Sequence, residues 1–250
     1  MVETVRIESA NEEEFENRLP HIILTIPDGT ERVDGFRNRD DTIDGGIYVK
    51  NLVEVHFPVS LESIERGSFL GCGDLTTLHF AHNRTPRIAN SAFQDCEKIT
   101  VVHASSTQIG TFSELIRSLR FMYCDATVRD AGGNEFTLNV KLDFEELYNG
   151  GPYSDLLSQL KEQIVGKIEE DDEITFFGDL VEGDFDLIDD TGNVVTAESI
   201  LARETRVGFS YGGGVDFNNL VIYLTNESDD DDVESDESDD TENVLEPLRS

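Results

Sequence analysis

Basic residues are scarce in this chain: 19 Lys and Arg face 53 Asp and Glu over 250 residues, a formal net charge of −34. The C-terminal stretch from Glu227 to Ser250 carries 12 acids and one Arg, so −11 resides there and −23 in the body. Both parts repel polyanions, which argues against sequence-independent binding to nucleic-acid phosphates and to an anionic membrane surface. A basic protein is the electrostatically favoured partner. Cysteine is also sparse. Cys72, Cys96 and Cys124 are too few, and odd in number, for a disulfide framework. No apolar run approaches the roughly 20 residues that span a bilayer. Met1 to Asn17 is polar and acidic, without the basic start and apolar run of an export signal. These absences lead us to expect a soluble protein of the cytoplasm or nucleus. Catalytic signatures are missing too: there is no G-x-S-x-G, H-E-x-x-H, Walker loop or dinucleotide fingerprint. No enzyme activity, catalytic residue or cofactor is expected.

What the chain does have is a repeat. Leu52-Val53-Glu54-Val55-His56-Phe57 aligns with Leu75-Thr76-Thr77-Leu78-His79-Phe80 and with Ile99-Thr100-Val101-Val102-His103-Ala104. The offset from Leu75 to Ile99 also relates Ile64 to Ile88, Ser68 to Ala92, Phe69 to Phe93 and Cys72 to Cys96. A fixed period with apolar residues in phase marks a solenoid whose units bury their faces on one another. His21 to Pro27 reads as the first strand, with Ile26 and Val33 preceding Phe57 and Ile64 by one common, longer offset. The polar stretch from Arg37 to Gly46 is then an insertion in a lengthened first unit.

Ile64, Ser68, Phe69, Cys72 and Leu75, followed by Ile88, Ala92, Phe93, Cys96 and Ile99, resemble the I-x-x-x-A-F-x-x-C-x-x-L units of the BspA-like leucine-rich repeat family. The likeness covers about Ile22 to Phe112, giving three to four coils. Ser68 in place of Ala and the stretched first unit depart from the pattern. The resemblance implies a non-enzymatic surface for protein recognition. Within it, each Phe is expected to fill the wide part of a coil and each Cys a tight corner.

Leu115, Ile116 and Leu119 have helical spacing, so Ser113 to Phe121 is read as a short helix closing the stack. Beyond Cys124 the period is lost. A hairpin through Ala131-Gly132-Gly133-Asn134 leads into Phe136 to Leu142. A helix is expected over 155–168, then strands at 174–177, 185–188, 194–195, 207–211 and 220–224. That order is similar to a ubiquitin-like β-grasp. The expected fold class is therefore α+β: an N-terminal cap (1–20, with a short strand near Thr4 to Ile7 and a helix over 12–19), leucine-rich repeats with a capping helix (21–123), an α+β domain of β-grasp order (124–226), and a disordered acidic tail (227–250).

His56, His79 and His103 share one phase of three successive strands and alternate with inward residues, so they form an outward row about 4.8 Å apart. A row of imidazoles suits Zn²⁺ or Cu²⁺, but a repeat that copies an outward residue accounts for it equally, and no metal site is assigned. Cys72 and Cys96 are read as packing residues. Gly212-Gly213-Gly214 resembles a diglycine tail, yet the apolar strand after it favours a glycine-rich hairpin connection. Asp189 to Asn193 is read as a hairpin turn. The candidate interaction face comprises Glu54, His56, Thr77, His79, Val101 and His103. Ser228, followed directly by aspartates from Asp229 onward, is a candidate phosphorylation site. The expected function is a protein–protein interaction module. The alternatives are a binder or chaperone of basic proteins acting through the acidic tail, and a structural component of a larger assembly.

Overall fold

The computed structural model describes residues 21–35, 51–81, 86–130, 132–145, 154–171, 174, 185–206 and 208–224. The expected N-terminal strand and helix, the insertion at 37–46, the strand at 175–177, the acidic tail and Ser228 lie outside these residues. The repeat winds between two sheets. The first receives β1 (Ile22–Thr25), β3 (Leu52–Phe57), β5 (Thr77–Phe80), β7 (Val101–His103) and β8 (Phe121–Arg129), each parallel to the last. The second receives the short β2 (Arg32–Val33), β4 (Ser63–Ile64) and β6 (Arg87–Ala89), also parallel. One residue in two points inward because side chains alternate across a strand. Val55 and Phe57 are buried from β3, Leu78 and Phe80 from β5, and Val102 from β7, while Leu52 at the start of β3 is buried out of that alternation.

Period becomes packing through rings. Phe57 stacks on Phe80 with centroids 4.4 Å apart, and Phe69 on its repeat mate Phe93 at 5.4 Å. Such pairs add roughly 0.5–1.5 kcal/mol beyond the area they bury. The turns stack as well. The amides of Gly67, Phe69 and Gly71 donate to the carbonyls of Ser91, Ala92 and Gln94 in the next coil, at 2.9–3.1 Å. Gly71 is left-handed (φ 75°), and Asp95, one repeat later, keeps that conformation (φ 62°). Ser68 departs from Ala for a visible reason: its buried hydroxyl lies 2.9 Å from the Val33 carbonyl oxygen and 2.8 Å from that of Glu65. It ties the irregular first coil to the second.

The helix after the repeats lies earlier than its apolar spacing suggests. α1 is Ile109–Leu115, entered through a 3₁₀ turn at Ser106–Gln108 that the Ser105 hydroxyl caps. Its buried stripe is Ile109 and Phe112, while Ile116 and Leu119 are buried in the turn that follows. Phe121 opens β8 rather than ending a helix. β8 is nine residues long and pairs with β7 through its first three. Its inward residues Met122, Cys124, Ala126 and Val128 alternate without a break past the point where the sequence period stops.

β9 (Glu135–Asp143) folds back on the whole of β8. α2 (Ser154–Glu170) buries Leu156, Leu160, Ile164 and Ile168, spaced i, i+4, i+8 and i+12. β10 (Phe185–Ile188) and β13 (Leu220–Leu224) extend the first sheet in the order β8-β13-β10, β13 parallel to β8 and antiparallel to β10. Between them come α3 (Ala197–Ile200), with a Thr196/Ser199 capping box, and the hairpin β11 (Arg203–Arg206) and β12 (Phe209–Gly212). β12 pairs with β6, so this hairpin takes the next place in the second sheet of the solenoid.

Two turn readings met different outcomes. Asp189 does close a turn, its Oδ1 accepting from the amides of Thr191 and Asn193 at 2.9 Å. The glycine run is not a hairpin connection, because β13 lies in the other sheet from β12. Gly213 and Gly214 both donate their amides to the Thr107 carbonyl at 3.1 Å. A Cβ on Gly214 would sit 2.6 Å from the Ile200 carbonyl oxygen. Glycine here lets the returning chain pass close to the Ile200 carbonyl while its amides bond to the repeat region at Thr107. Thr111 to the Tyr211 carbonyl (3.0 Å), the Phe217 amide to Ser106 (2.8 Å) and an Arg203–Glu114 ion pair join the same two parts.

Among the described residues β9 pairs only with β8, and its other edge is occupied by side chains. Gln163 accepts from the Lys141 amide and donates to the Lys141 carbonyl, both at 2.8 Å. Gln159 does the same at Asp143, at 2.8 and 3.0 Å. Two carboxamides one helical turn apart on α2 thus stand where another strand would bond.

Candidate interaction face

All six residues of the expected face lie on the outward side of the first sheet, and all are half-buried. Register brings them into two rows. Glu54, Thr77 and Val101 are successive pairing partners, and so are His56, His79 and His103. The parallel ladder fixes both rows at one strand spacing, so like residues meet face to face. The His56 and His79 rings stack at 4.4 Å and 9°, and those of His79 and His103 at 4.2 Å and 12°. Thr25 opposes His56 on the β1 side and ends the imidazoles there.

Both rows continue beyond the expected residues. Tyr123 follows His103 and stacks on it at 4.7 Å and 11°, making four rings in line. Phe121 follows Val101, with the Arg120 guanidinium 4.9 Å and the Lys141 ammonium 4.1 Å from its ring centroid. The signal was present: Phe121-Met122-Tyr123 repeats the outward–inward–outward pattern of Val101-Val102-His103, but at a shorter offset than the one that relates the earlier strands. At the other end Glu54 supplies a carboxylate whose Oε1 lies 2.5 Å from His56 Nε2 and 3.0 Å from His79 Nε2. The face therefore runs from the Glu54 carboxylate, across stacked rings, to Phe121 with Lys141 and Arg120 at its ring, Arg120 being paired as well with Glu145 at 2.8 Å.

The thiols behave as packing groups. Cys96 is buried with its sulfur 2.9 Å from the Phe69 carbonyl oxygen. The neighbouring Cys72 sulfur, followed by burial, pushes the Cys96 thiol far above its ordinary range. Burial, with Asp125 adding to it, does the same to Cys124. Nucleophilic or redox use requires a thiolate, and these surroundings oppose one.

Among the described residues, no helix is long and apolar enough to cross a membrane. Parallel strands stacked at one period, with in-phase Phe and Cys inside, are the arrangement expected of stacked leucine-rich repeats. The comparison with known families agrees: the BspA type leucine rich repeat region matches residues 47–142, in six copies. That segment is a BspA-type repeat region. It reaches past the expected end near Phe112, through β8 and into β9. Neither the curated proteins nor the solved structures give a match.

Proposed function

We propose that this protein is a non-enzymatic protein–protein interaction module whose partner docks on the outward face of the first sheet, over the two rows from Glu54 and His56 to Phe121 and Tyr123. One observation carries the reading: four stacked rings, His56, His79, His103 and Tyr123, stand on a hydrogen-bonded parallel ladder rather than on loops. Stacking already limits how the rings turn, so a partner orders few side chains on docking and loses little entropy there. Aromatic and Arg side chains are also the residues enriched in interface centres. Leucine-rich repeats commonly bind other proteins, which fits. The net charge of −34 favours a basic partner over nucleic acid or an anionic membrane.

The remainder of the chain serves as support in this reading. Residues 124–226 are taken as a β-grasp, supported by the strand order β9-β8-β13-β10, by β13 running parallel to β8, and by α2 between the first hairpin and β10. Residues 227–250 are taken as an acidic extension, with Ser228 as its modification site. The test is affinity capture from source extract by the parent chain, by a form with Glu54, His56, Thr77, His79, Val101 and His103 changed to alanine, and by a form lacking 227–250. Loss of a partner only from the alanine form supports the face. A partner list unchanged by alanine but lost with the tail, with steep salt dependence, replaces this reading with the tail-driven one.

A further inference from the structure

We propose that Glu54, His56 and His79 form a binding site for a first-row divalent metal ion, zinc being the natural probe. The inference stands on the geometry of these three side chains and does not rest on the partner-binding reading. The histidine row alone does not make the site, since stacked imidazoles only repeat one donor at one spacing. Glu54 changes that. It sits two residues before His56 on the same side of β3, and its carboxylate reaches the imidazoles of two adjacent strands at once. One donor atom from each of the three groups lies within 4.8 Å of the others.

Among the described residues, no other group along the rows brings three such donors together. The positions paired with Glu54 on the following strands are Thr77, Val101 and Phe121, none of which offers a carboxylate, imidazole or thiolate. His79 and His103 are as well stacked as His56 and His79, but only the latter pair has Glu54 between its ring nitrogens.

Two imidazoles and one carboxylate are the donor set of open zinc sites, in which a further position is left for water or another ligand. The same set is poor for Mg²⁺ and Ca²⁺, which take oxygen ligands. Zinc–ligand bonds of about 2.0–2.2 Å put tetrahedral neighbours roughly 3.3–3.6 Å apart. The present separations of 2.5 and 3.0 Å are shorter than this, so the donors must part to admit the ion. Glu54 has to swing back by about 1 Å at its oxygen to give this room. The backbone need not move, because β3 and β5 are fixed by their ladder. An imidazole binds through a lone pair in its ring plane, and rings 4.4 Å apart and 9° from parallel do not yet aim theirs at one point, so the His56 ring must also turn about its side-chain bonds to share the ion with His79. Side-chain exposures of 42% for His56, 29% for His79 and 27% for Glu54 leave the site open to ions from solvent.

The test is a Zn²⁺ titration of the full chain in excess Mg²⁺, which occupies the many acidic groups. Binding is followed by calorimetry and by the imidazole NMR signals of the five histidines. The expected result is one saturable equivalent, with the His56 and His79 signals moving first and His21 still. Glu54→Gln and His79→Ala should each weaken binding by at least about tenfold, while His103→Ala leaves it near the parent value. Glu54→Gln keeps size and shape, so its result does not depend on whether the histidine variants fold; circular dichroism without metal checks all of them. Unmoved imidazole signals overturn the proposal. So does zinc that shifts His21 together with His56 and His79 and binds Glu54→Gln as tightly as the parent, since that is general uptake by an acidic chain.

Discussion

The two faces of the first sheet carry ring ladders of the same spacing and opposite meaning. Inside, Phe57 stacks on Phe80 at 4.4 Å; outside, one residue back on the same strands, His56 stacks on His79 at the same distance. A parallel in-register sheet imposes this geometry on whatever residue a repeat places there. Stacking as such therefore does not separate structure from function. Burial and polarity do. The inner rings exclude water and hold coil on coil. The outer rings leave nitrogen and hydroxyl groups at the surface, with Glu54 at one end and Arg120 and Lys141 at the other.

The largest effect expected from disturbing this contrast is on the inner side. Phe69 is fully buried, stacks on Phe93 and meets Phe57 edge-on at 5.7 Å. Phe69→Ala should cost about 3–5 kcal/mol, through lost transfer energy and the cavity left behind. Denaturant unfolding measures it, and a cost below about 1 kcal/mol would show that the coil collapses around the gap. Outside, His79→Ala removes contacts with two neighbouring rings but opens no cavity, and about 0.5–1 kcal/mol is expected. Should it match Phe69→Ala, the outer ladder is a structural element and its value as a recognition face falls.

The smallest effect belongs to the turns, where repeat copies also meet. Asp74 and Lys98 lie one repeat apart and form a 2.7 Å ion pair between coils. The Lys98 hydrogen bond, then its charge, holds the Asp74 carboxyl below its usual value. A lowered folded-state pKa means stabilisation that is present above the unfolded carboxyl range and is lost as the pH falls through the folded value. The pair is largely exposed, so Lys98→Ala should cost only about 0.2–1 kcal/mol at neutral pH, and the difference from the parent should vanish in acid. Unfolding curves across that pH range check it; an equal loss at all pH values would assign the effect to the lysine stem.

The regular part of the molecule was legible because a period states the same fact several times. Leu52, Leu75 and Ile99 fix the phase, Phe69 and Phe93 the interior, and the histidines the exterior. The helix at Ser154–Glu170 could be read from Leu156, Leu160 and Ile164 for a similar reason. What escaped lacked repetition or apolar pattern. β11 is Arg203-Glu204-Thr205-Arg206, an edge strand with no inward face for alternation to reveal. α3 is one turn long and announces itself only through Thr196 and Ser199. Continuation of the solenoid through β8 was hidden because α1 and its following turn shorten the offset before Phe121. At the candidate metal site the residue types were visible in the row, but the approach of Glu54 to His79 depends on the register between β3 and β5. No single stretch of sequence contains that information.

The paired carboxamides of Gln159 and Gln163 have a consequence for how copies of this protein meet. A stack of parallel strands is open-ended by nature, and an exposed edge is a template on which another chain can add. At β9 the amides and carbonyls of Lys141 and Asp143 are already engaged by a helix that cannot itself be extended as a sheet. Strand addition there must first displace four hydrogen bonds. The two glutamines therefore act as a chain terminator, keeping a fold built by repetition from repeating itself into a fibre at that edge.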